Sequence, residues 1–336
     1  MTHLPNDMAA LVYTGPNRVE MQRAPLPVPG AGEALVRVRA VGICGSDMHA
    51  YHGHDDRRPA PLILGHEAAG EVVGGPRHGA RVTINPLVIP AGDPAAAAGR
   101  PHLSPARQIL SMPPRPGAFA EYVAAPLDNL LDVPTDFPLD KAALAEPMAV
   151  SWHAVRIGLD RLFGAPCDRA LVLGGGAIGV AAALVARHMG AGAVWLAETN
   201  AARRERLQGL AGITVCDPSL AARSCDGCDL VVDAVGAPAT RAAASALARP
   251  GGVIVHVGLL PGSEGFDIRR ITLQEITLSG SYCYTPQDFA DCFSAMTSGA
   301  LGPLDWAEER ALAEGAAAFA DLDAGRVAAP KLILRP

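Results

Sequence analysis

Ala170-Leu171-Val172-Leu173-Gly174-Gly175-Gly176-Ala177-Ile178-Gly179 places a short apolar run against three glycines and then a second apolar run. Read as strand, turn and helix, it fits G-x-G-x-x-G in the setting that gives the pattern meaning. Gly174 permits the tight turn, Gly176 lets the backbone approach a pyrophosphate, and Gly179 lets helix and strand pack closely. The anion rests on the helix N-terminus, so Gly174, Gly176, Ala177, Ile178 and Gly179 are the expected cofactor contacts. Glu198 follows the next expected strand, 22 residues beyond Gly176. Its carboxylate suits ribose hydroxyls and repels a 2′-phosphate, which favours NAD; the nearby Arg203 and Arg204 keep NADP as the lesser alternative. The competing reading is a purely structural glycine turn.

Outward from this turn the rhythm of strand, turn and helix repeats. Strands are expected at 170–173, 193–197, 230–234, 253–257 and 276–278, with helices between most of them, which predicts a doubly wound parallel sheet. Thr285 and Pro286 read as the N-cap and first position of a helix. The chain before residue 142 reads as β-rich instead, with extended segments at 10–13, 33–40, 61–64, 70–73, 80–84 and 117–123. Around Asp140 to Gly158 apolar residues return at helical spacing, with Pro147 marking a kink or a first turn. A helix at 316–325 and a strand at 331–334 close the chain, and the strand is expected to pair with the β-rich part. The organisation is therefore α/β in two domains, 1–141 with 286–336 and 142–285.

The β-rich part carries the chemistry. Val41-Gly42-Ile43-Cys44-Gly45-Ser46-Asp47-Met48-His49 and Gly65-His66-Glu67 together supply a thiol, a hydroxyl, imidazoles and carboxylates. Zinc binds sulfur, imidazole nitrogen and carboxylate oxygen, and a catalytic zinc keeps a position open, so Cys44, His66 and a carboxylate make a plausible open site. The spacing is not that of a zinc finger. Alone, Cys44 would read as a buried small hydrophobe and His66 as a core histidine. His52 and His54, set among Gly and charges, read as loop or substrate-pocket residues.

Composition narrows the field. A net charge of -6 with 4% aromatic residues gives neither a basic footprint nor a stacking surface for nucleic acid. The uncharged run from Ala170 to Ala186 is 17 residues long, short of a membrane span and broken by its glycines. Met1 to Ala10 lacks the pattern of a secretory leader, so a cytoplasmic location is expected. Seven scattered cysteines argue against a disulfide framework, and Cys225-x-x-Cys228 reads as part of a polar loop. Lysine occurs only at Lys141 and Lys331, which reads as codon bias.

With both halves in view, the chain resembles the zinc-dependent medium-chain dehydrogenases, a family within the alcohol dehydrogenase superfamily, and is most similar to its polyol and sorbitol type. The markers are Gly42-Ile43-Cys44-Gly45-Ser46-Asp47, Gly65-His66-Glu67, Glu146-Pro147 with Val150 and His153-Ala154, the glycine turn, and Ile276-Thr277-Leu278-Ser279-Gly280. The resemblance implies a GroES-like catalytic domain, a Rossmann domain and a homo-oligomer. It makes Cys44 and His66 zinc ligands and Glu67 an adjacent carboxylate that binds zinc directly or transiently. Glu146 stands where relatives place another ligand. Ser46 becomes the relay hydroxyl, Asp47 the partner of a ligating histidine, and His49 the outer end of the relay. Two departures stand out. The segment Pro90 to Pro105 has none of the four cysteines that hold a structural zinc in relatives, so a single catalytic zinc is expected, and Tyr282-Cys283-Tyr284 replaces the Phe-Arg-Tyr of the polyol type.

The implied reaction is NAD-linked oxidation of a secondary alcohol, of polyol or sugar-derived type, to the ketone. Zinc lowers the pKa of bound water from about 15.7 to about 7, roughly 12 kcal/mol in favour of the anion. General-base catalysis supplies about 10²- to 10⁴-fold, so the metal leads and the relay assists. The rivals are a zinc-free NADPH-dependent quinone or enone reductase on the same scaffold and a non-catalytic nucleotide-binding protein.

Overall fold

Along Glu33–Gly42, Val36, Val38 and Ala40 are buried while Arg37 and Arg39 face solvent, the period of two that a half-buried strand requires. The computed structural model describes residues 4–225 and 227–336, so the first three residues of the stretch compared with a leader lie outside the described residues. The chain divides into two units, one of Met1–Glu146, Ala307–Val327 and Lys331–Pro336, the other of Pro147–Trp306 and Ala328–Pro330.

In the first unit Glu33–Gly42 is the hub of a mixed sheet. It pairs antiparallel with Glu67–Val73, Tyr122–Pro126 and the closing strand Lys331–Arg335. The expected partnership of the last strand is thus realised. In this register Gly42 lies opposite Glu67 on one side and Ile333 on the other. The two motifs and the chain's last strand therefore meet at one end of the sheet. A hairpin of Asp7–Gly15 and Arg18–Pro25 adds a second layer, with Met8, Ala10 and Val12 packed on Leu35, Ala120 and Tyr122. The irregular stretch after Asn85 contains a short helix, Pro94–Ala97, capped by Asp93. The Asp93 carboxylate accepts from Ala95 N at 2.8 Å and Ser104 Oγ at 2.6 Å, which ties the two ends of the segment Pro90 to Pro105 together.

The second unit is a parallel sheet in the order Ile213–Cys216, Ala193–Ala197, Arg169–Leu173, Cys228–Asp233, Ala248–His256, Thr277–Gly280. Sequence order reverses between Arg169–Leu173 and Cys228–Asp233, the switch point at which such sheets bind nucleotides. The strand Ile213–Cys216 was not among those expected, because only four residues carry its signal and Thr214 faces out.

Three expectations need correction or adjustment. The helix Pro286–Thr297, expected with the first unit, packs in the second, because Asp288 binds His153 Nδ1 at 2.7 Å and Arg156 Nε at 2.6 Å. The other boundary lies at Glu146 rather than 141, since Thr83 Oγ bonds Ala142 O at 2.8 Å and holds the helix Leu139–Ala142 on the first unit. Cys225 and Cys228 are fully buried rather than in a polar loop, packed with Leu171, Val231 and Ile254. The Cys228 thiol donates to Cys225 O at 2.7 Å; Asp226 lies outside the described residues. Among the described residues no helix is long and apolar enough to cross a membrane.

Candidate active site

Cys44 sits at the N-cap of the helix Gly45–Tyr51, and Asp47, three residues on, accepts its backbone N–H at 2.9 Å. That reciprocal bond satisfies a donor the helix start leaves open and fixes the Cys44 backbone. The other Asp47 oxygen accepts from Gly65 N at 3.3 Å and lies 3.6 Å from His66 Nδ1. One buried carboxylate thus joins both motifs. Its contact with the imidazole is electrostatic at that separation, and Ser111 Oγ stands closer to Nδ1, at 3.3 Å. With Nδ1 facing Asp47 and Ser111, Nε2 is the nitrogen left to bind a metal. Burial works to raise the Asp47 pKa, but His66, Arg58 and the Cys44 N–H outweigh it and hold the carboxyl below its usual range. Burial likewise works to lower the His66 pKa, and Asp47 and Cys44 override it, raising it well above the usual imidazole range.

Cys44, His66 and Glu67 each offer a ligand atom, and these atoms lie within 4.8 Å of one another. Glu67 is fully buried, and a Cβ on Gly42 would lie 2.0 Å from Glu67 Oε2, so only glycine leaves room for this carboxylate. Glu67 Oε1 accepts from Lys331 Nζ at 2.6 Å, while Oε2 has no hydrogen-bond partner among the described residues. Lys331 also donates to Ile43 O at 2.9 Å. Glu146, buried in the first turn of the helix Ala145–Asp160, lies outside that donor group, yet its charge acts on Lys331. Burial works to lower the Lys331 pKa, and Glu67, Cys44 and Glu146 together raise it. A soft sulfur, an imidazole and a carboxylate with an orphaned buried oxygen fit a zinc ion.

Ser46 and His49 are half-buried on the helix Gly45–Tyr51, three residues apart and so on one face. Burial lowers the His49 pKa, helped by His52, His54 and Arg58 and opposed by Asp55, which keeps the ring neutral near pH 7. His52 Nε2 meets Asp323 at 2.7 Å, and the His54 ring lies 5.8 Å from that of His52.

The glycine turn has the geometry its spacing requires. Gly174 has φ 98°, a backbone conformation that favours glycine. A Cβ on Gly179 would lie 1.7 Å from Gly174 O, whereas one on Gly176, the N-cap of the helix Ala177–His188, would meet open space. Glu198 is buried, accepts from Gly175 N at 2.8 Å and Asn200 N at 2.7 Å, and lies 3.5 Å from Arg203. The acid is locked to the turn it serves.

Three residues of this site were not anticipated. Lys331 passed as codon bias, although being one of only two lysines was a usable signal. Ser111, and Arg58, which bonds Ser111 O at 3.1 Å, come from stretches with no periodic pattern.

A parallel sheet with a nucleotide-binding turn, and a half-buried thiol converging with a buried imidazole and carboxylate, define a metal-assisted, dinucleotide-dependent oxidoreductase. Residues 30–135 match the alcohol dehydrogenase GroES-like domain and residues 177–298 the zinc-binding dehydrogenase family. L-galactonate-5-dehydrogenase of Escherichia coli strain K12 is 34% identical over 308 residues, covering 88% of each chain. Sorbitol dehydrogenase of Bacillus subtilis strain 168 is 31% identical, covering 84% of this chain and 85% of that one. Among solved structures, a putative zinc-binding dehydrogenase from Sinorhizobium meliloti 1021 bound to NADP superposes with TM-score 0.89 at 27% identity, covering 99% of this chain and 100% of that one. The chain belongs to the zinc-dependent medium-chain dehydrogenases of the polyol type, and its chemistry is alcohol oxidoreduction.

Proposed function

We propose that this enzyme oxidises a secondary hydroxyl of a sugar acid or polyol to the ketone, with NAD as acceptor and one zinc per chain. The observation that carries the reading is the convergence of Cys44, His66 and Glu67 on one point, with a carboxylate oxygen left unpartnered. Cys44 Sγ and His66 Nε2 would hold the ion, with Glu67 or Glu146 as the carboxylate donor. When bound, zinc supplies Lewis acidity that makes the substrate hydroxyl easier to deprotonate. The Ser46 hydroxyl would take up that proton as it hands its own on toward the His49 imidazole, which releases it to solvent. Glu198 and the 174–179 turn hold the dinucleotide, Glu198 by accepting from ribose hydroxyls and by repelling a phosphate; Arg203, 3.5 Å from Glu198, is the residue that would soften this preference. The substrate class follows from the relatives named for galactonate and sorbitol.

The enzyme is proposed to be a homo-oligomer. Thr277–Gly280 ends the parallel sheet, and Leu259, Leu260, Ile268, Leu273 and Leu278 nearby in sequence are exposed, a pattern suited to a second copy. A cytoplasmic setting suits its seven free thiols.

The test combines metal analysis with NADH absorbance across sugar acids, polyols, amino-alcohols and simple secondary alcohols. One zinc per chain and turnover of a sugar acid or polyol are expected. Activity of metal-free protein on quinones or enones with NADPH would replace this reading with the reductase, and no turnover with any substrate would favour a non-catalytic nucleotide-binding role.

A further inference from the structure

The strands Cys228–Asp233 and Ala248–His256 end side by side, with Asp233 opposite His256 in parallel register. Asp233 is fully buried, and its carboxylate is held on both oxygens. Oδ1 accepts from the N–H groups of Val235 at 3.0 Å and Gly236 at 2.9 Å, in the loop that leaves its own strand, while Oδ2 lies 3.1 Å from His256 Nδ1. An ionised carboxylate only accepts, so Nδ1 carries the proton of that bond. Burial works to raise the Asp233 pKa, but His256, the two N–H groups and Thr240 outweigh it and keep the group ionised. The half-buried imidazole rests edge-on against Phe266, with 5.4 Å between ring centres.

The loops that follow the two strands meet the glycine turn. Asp233 O accepts from Val257 N at 2.9 Å and Gly258 N at 3.0 Å. A Cβ on Gly258 would lie 2.0 Å from Val235 C, and one on Gly174 would lie 2.3 Å from Val235 Cγ2, so Val235 is packed between the turn and the second loop. Glu198, the acid for one ribose, follows Ala193–Ala197 on the other side of Arg169–Leu173. A dinucleotide lies across the switch point, which puts its second nucleoside on the side of Asp233 and His256. We infer that His256 is a positioning residue that, through Asp233, sets the loops 234–236 and 257–260 against which the nicotinamide nucleoside is seated. This rests on the dinucleotide reading above and extends it to a residue outside the glycine turn. Without the imidazole, one oxygen of a buried carboxylate loses a donor; the group then turns away from Val235 and Gly236 to recover one, or stays under-bonded at a cost. Either way the loops lose the contact that fixes them to the turn.

The experiment measures, on the intact enzyme, the binding of NADH by its fluorescence, or of NADPH should the wild type prefer it, and the binding of adenosine monophosphate by competition. His256→Leu keeps an apolar contact for Phe266 and removes the donor. It is expected to weaken the reduced cofactor about 10-fold, the value of a modest hydrogen bond, and to leave adenosine monophosphate within about twofold of wild type. His256→Asn, whose amide N–H can stand where Nδ1–H does, is expected to regain most of the loss. A general loosening of the sheet would weaken both ligands alike. Equal losses therefore overturn the inference, as does an unchanged cofactor affinity in His256→Leu or an Asn variant no better than the Leu one. Should His256→Leu fail to fold, His256→Val, a strand former without a donor, takes its place under the same criteria. Wild-type protein that binds neither NADH nor NADPH would defeat the dinucleotide reading itself, a result separate from all of these.

Discussion

Ser46 follows Cys44 by two residues, on the helix that Cys44 caps. Its proposed work is proton transfer, so Ser46→Ala should lower kcat by about 10²-fold, the low end for general-base assistance, and leave zinc content unchanged. Metal analysis of the variant checks this, and loss of zinc would assign the hydroxyl to the metal instead. Glu198 poses a different question, because its oxygens already bind the Gly175 and Asn200 N–H groups. Glu198→Ala should lose affinity for NAD and gain relative affinity for NADP, by removing both an acceptor and a repulsion, and should loosen the turn as well. The KM ratio for the two cofactors measures it; a wild type that already prefers NADP would contradict the assignment.

Among the elements, the helices Ala145–Asp160 and Pro286–Thr297 are joined by the carboxylate of Asp288, which accepts from His153, Arg156 and Thr285. Burial works to raise its pKa, but those three partners outweigh it and depress the carboxyl far below the usual range. A carboxyl with a depressed folded-state pKa stabilises the fold above its unfolded value, about 3.9 for aspartate, and that stability is lost as pH falls through the folded value. Asp288→Asn should therefore cost about 1–3 kcal/mol near neutral pH and flatten the acid limb of the stability curve. Thermal unfolding from pH 7 down through the strongly acid range, to below pH 2, tests both parts, and a variant with the wild-type pH dependence would show that Asp288 has no part in acid stability.

For the whole molecule, the outer edge of Thr277–Gly280 and the exposed leucines from Leu259 to Leu278 are features that a lone chain would leave facing water, close together in sequence. Static light scattering should report a dimer or a larger assembly, and Leu278→Lys, on the edge strand, should shift it toward monomer at low concentration. A monomeric wild type would refute the proposal.

Periodicity and local chemistry determined the α/β class, the parallel sheet, the glycine turn with Glu198, and the Cys44 and His66-Glu67 motifs. Each of these is written within a few neighbouring residues, where dihedral limits and hydrogen bonding act directly. The pairing of the last strand with the β-rich part could also be argued, since an apolar strand at the chain's end needs a sheet. Tertiary structure alone decided the rest. Lys331 reaches Glu67 only because register brings Ile333 and Glu67 to opposite sides of Gly42. Ser111 reaches His66 from a stretch with no period at all. Pro286–Thr297 joins the second unit through Asp288, and the two cysteines after Ala221 are buried by strands distant in sequence. A contact between residues far apart depends on sheet order and register, which no local pattern encodes; a buried lysine and a surface lysine therefore read alike until the strands are paired.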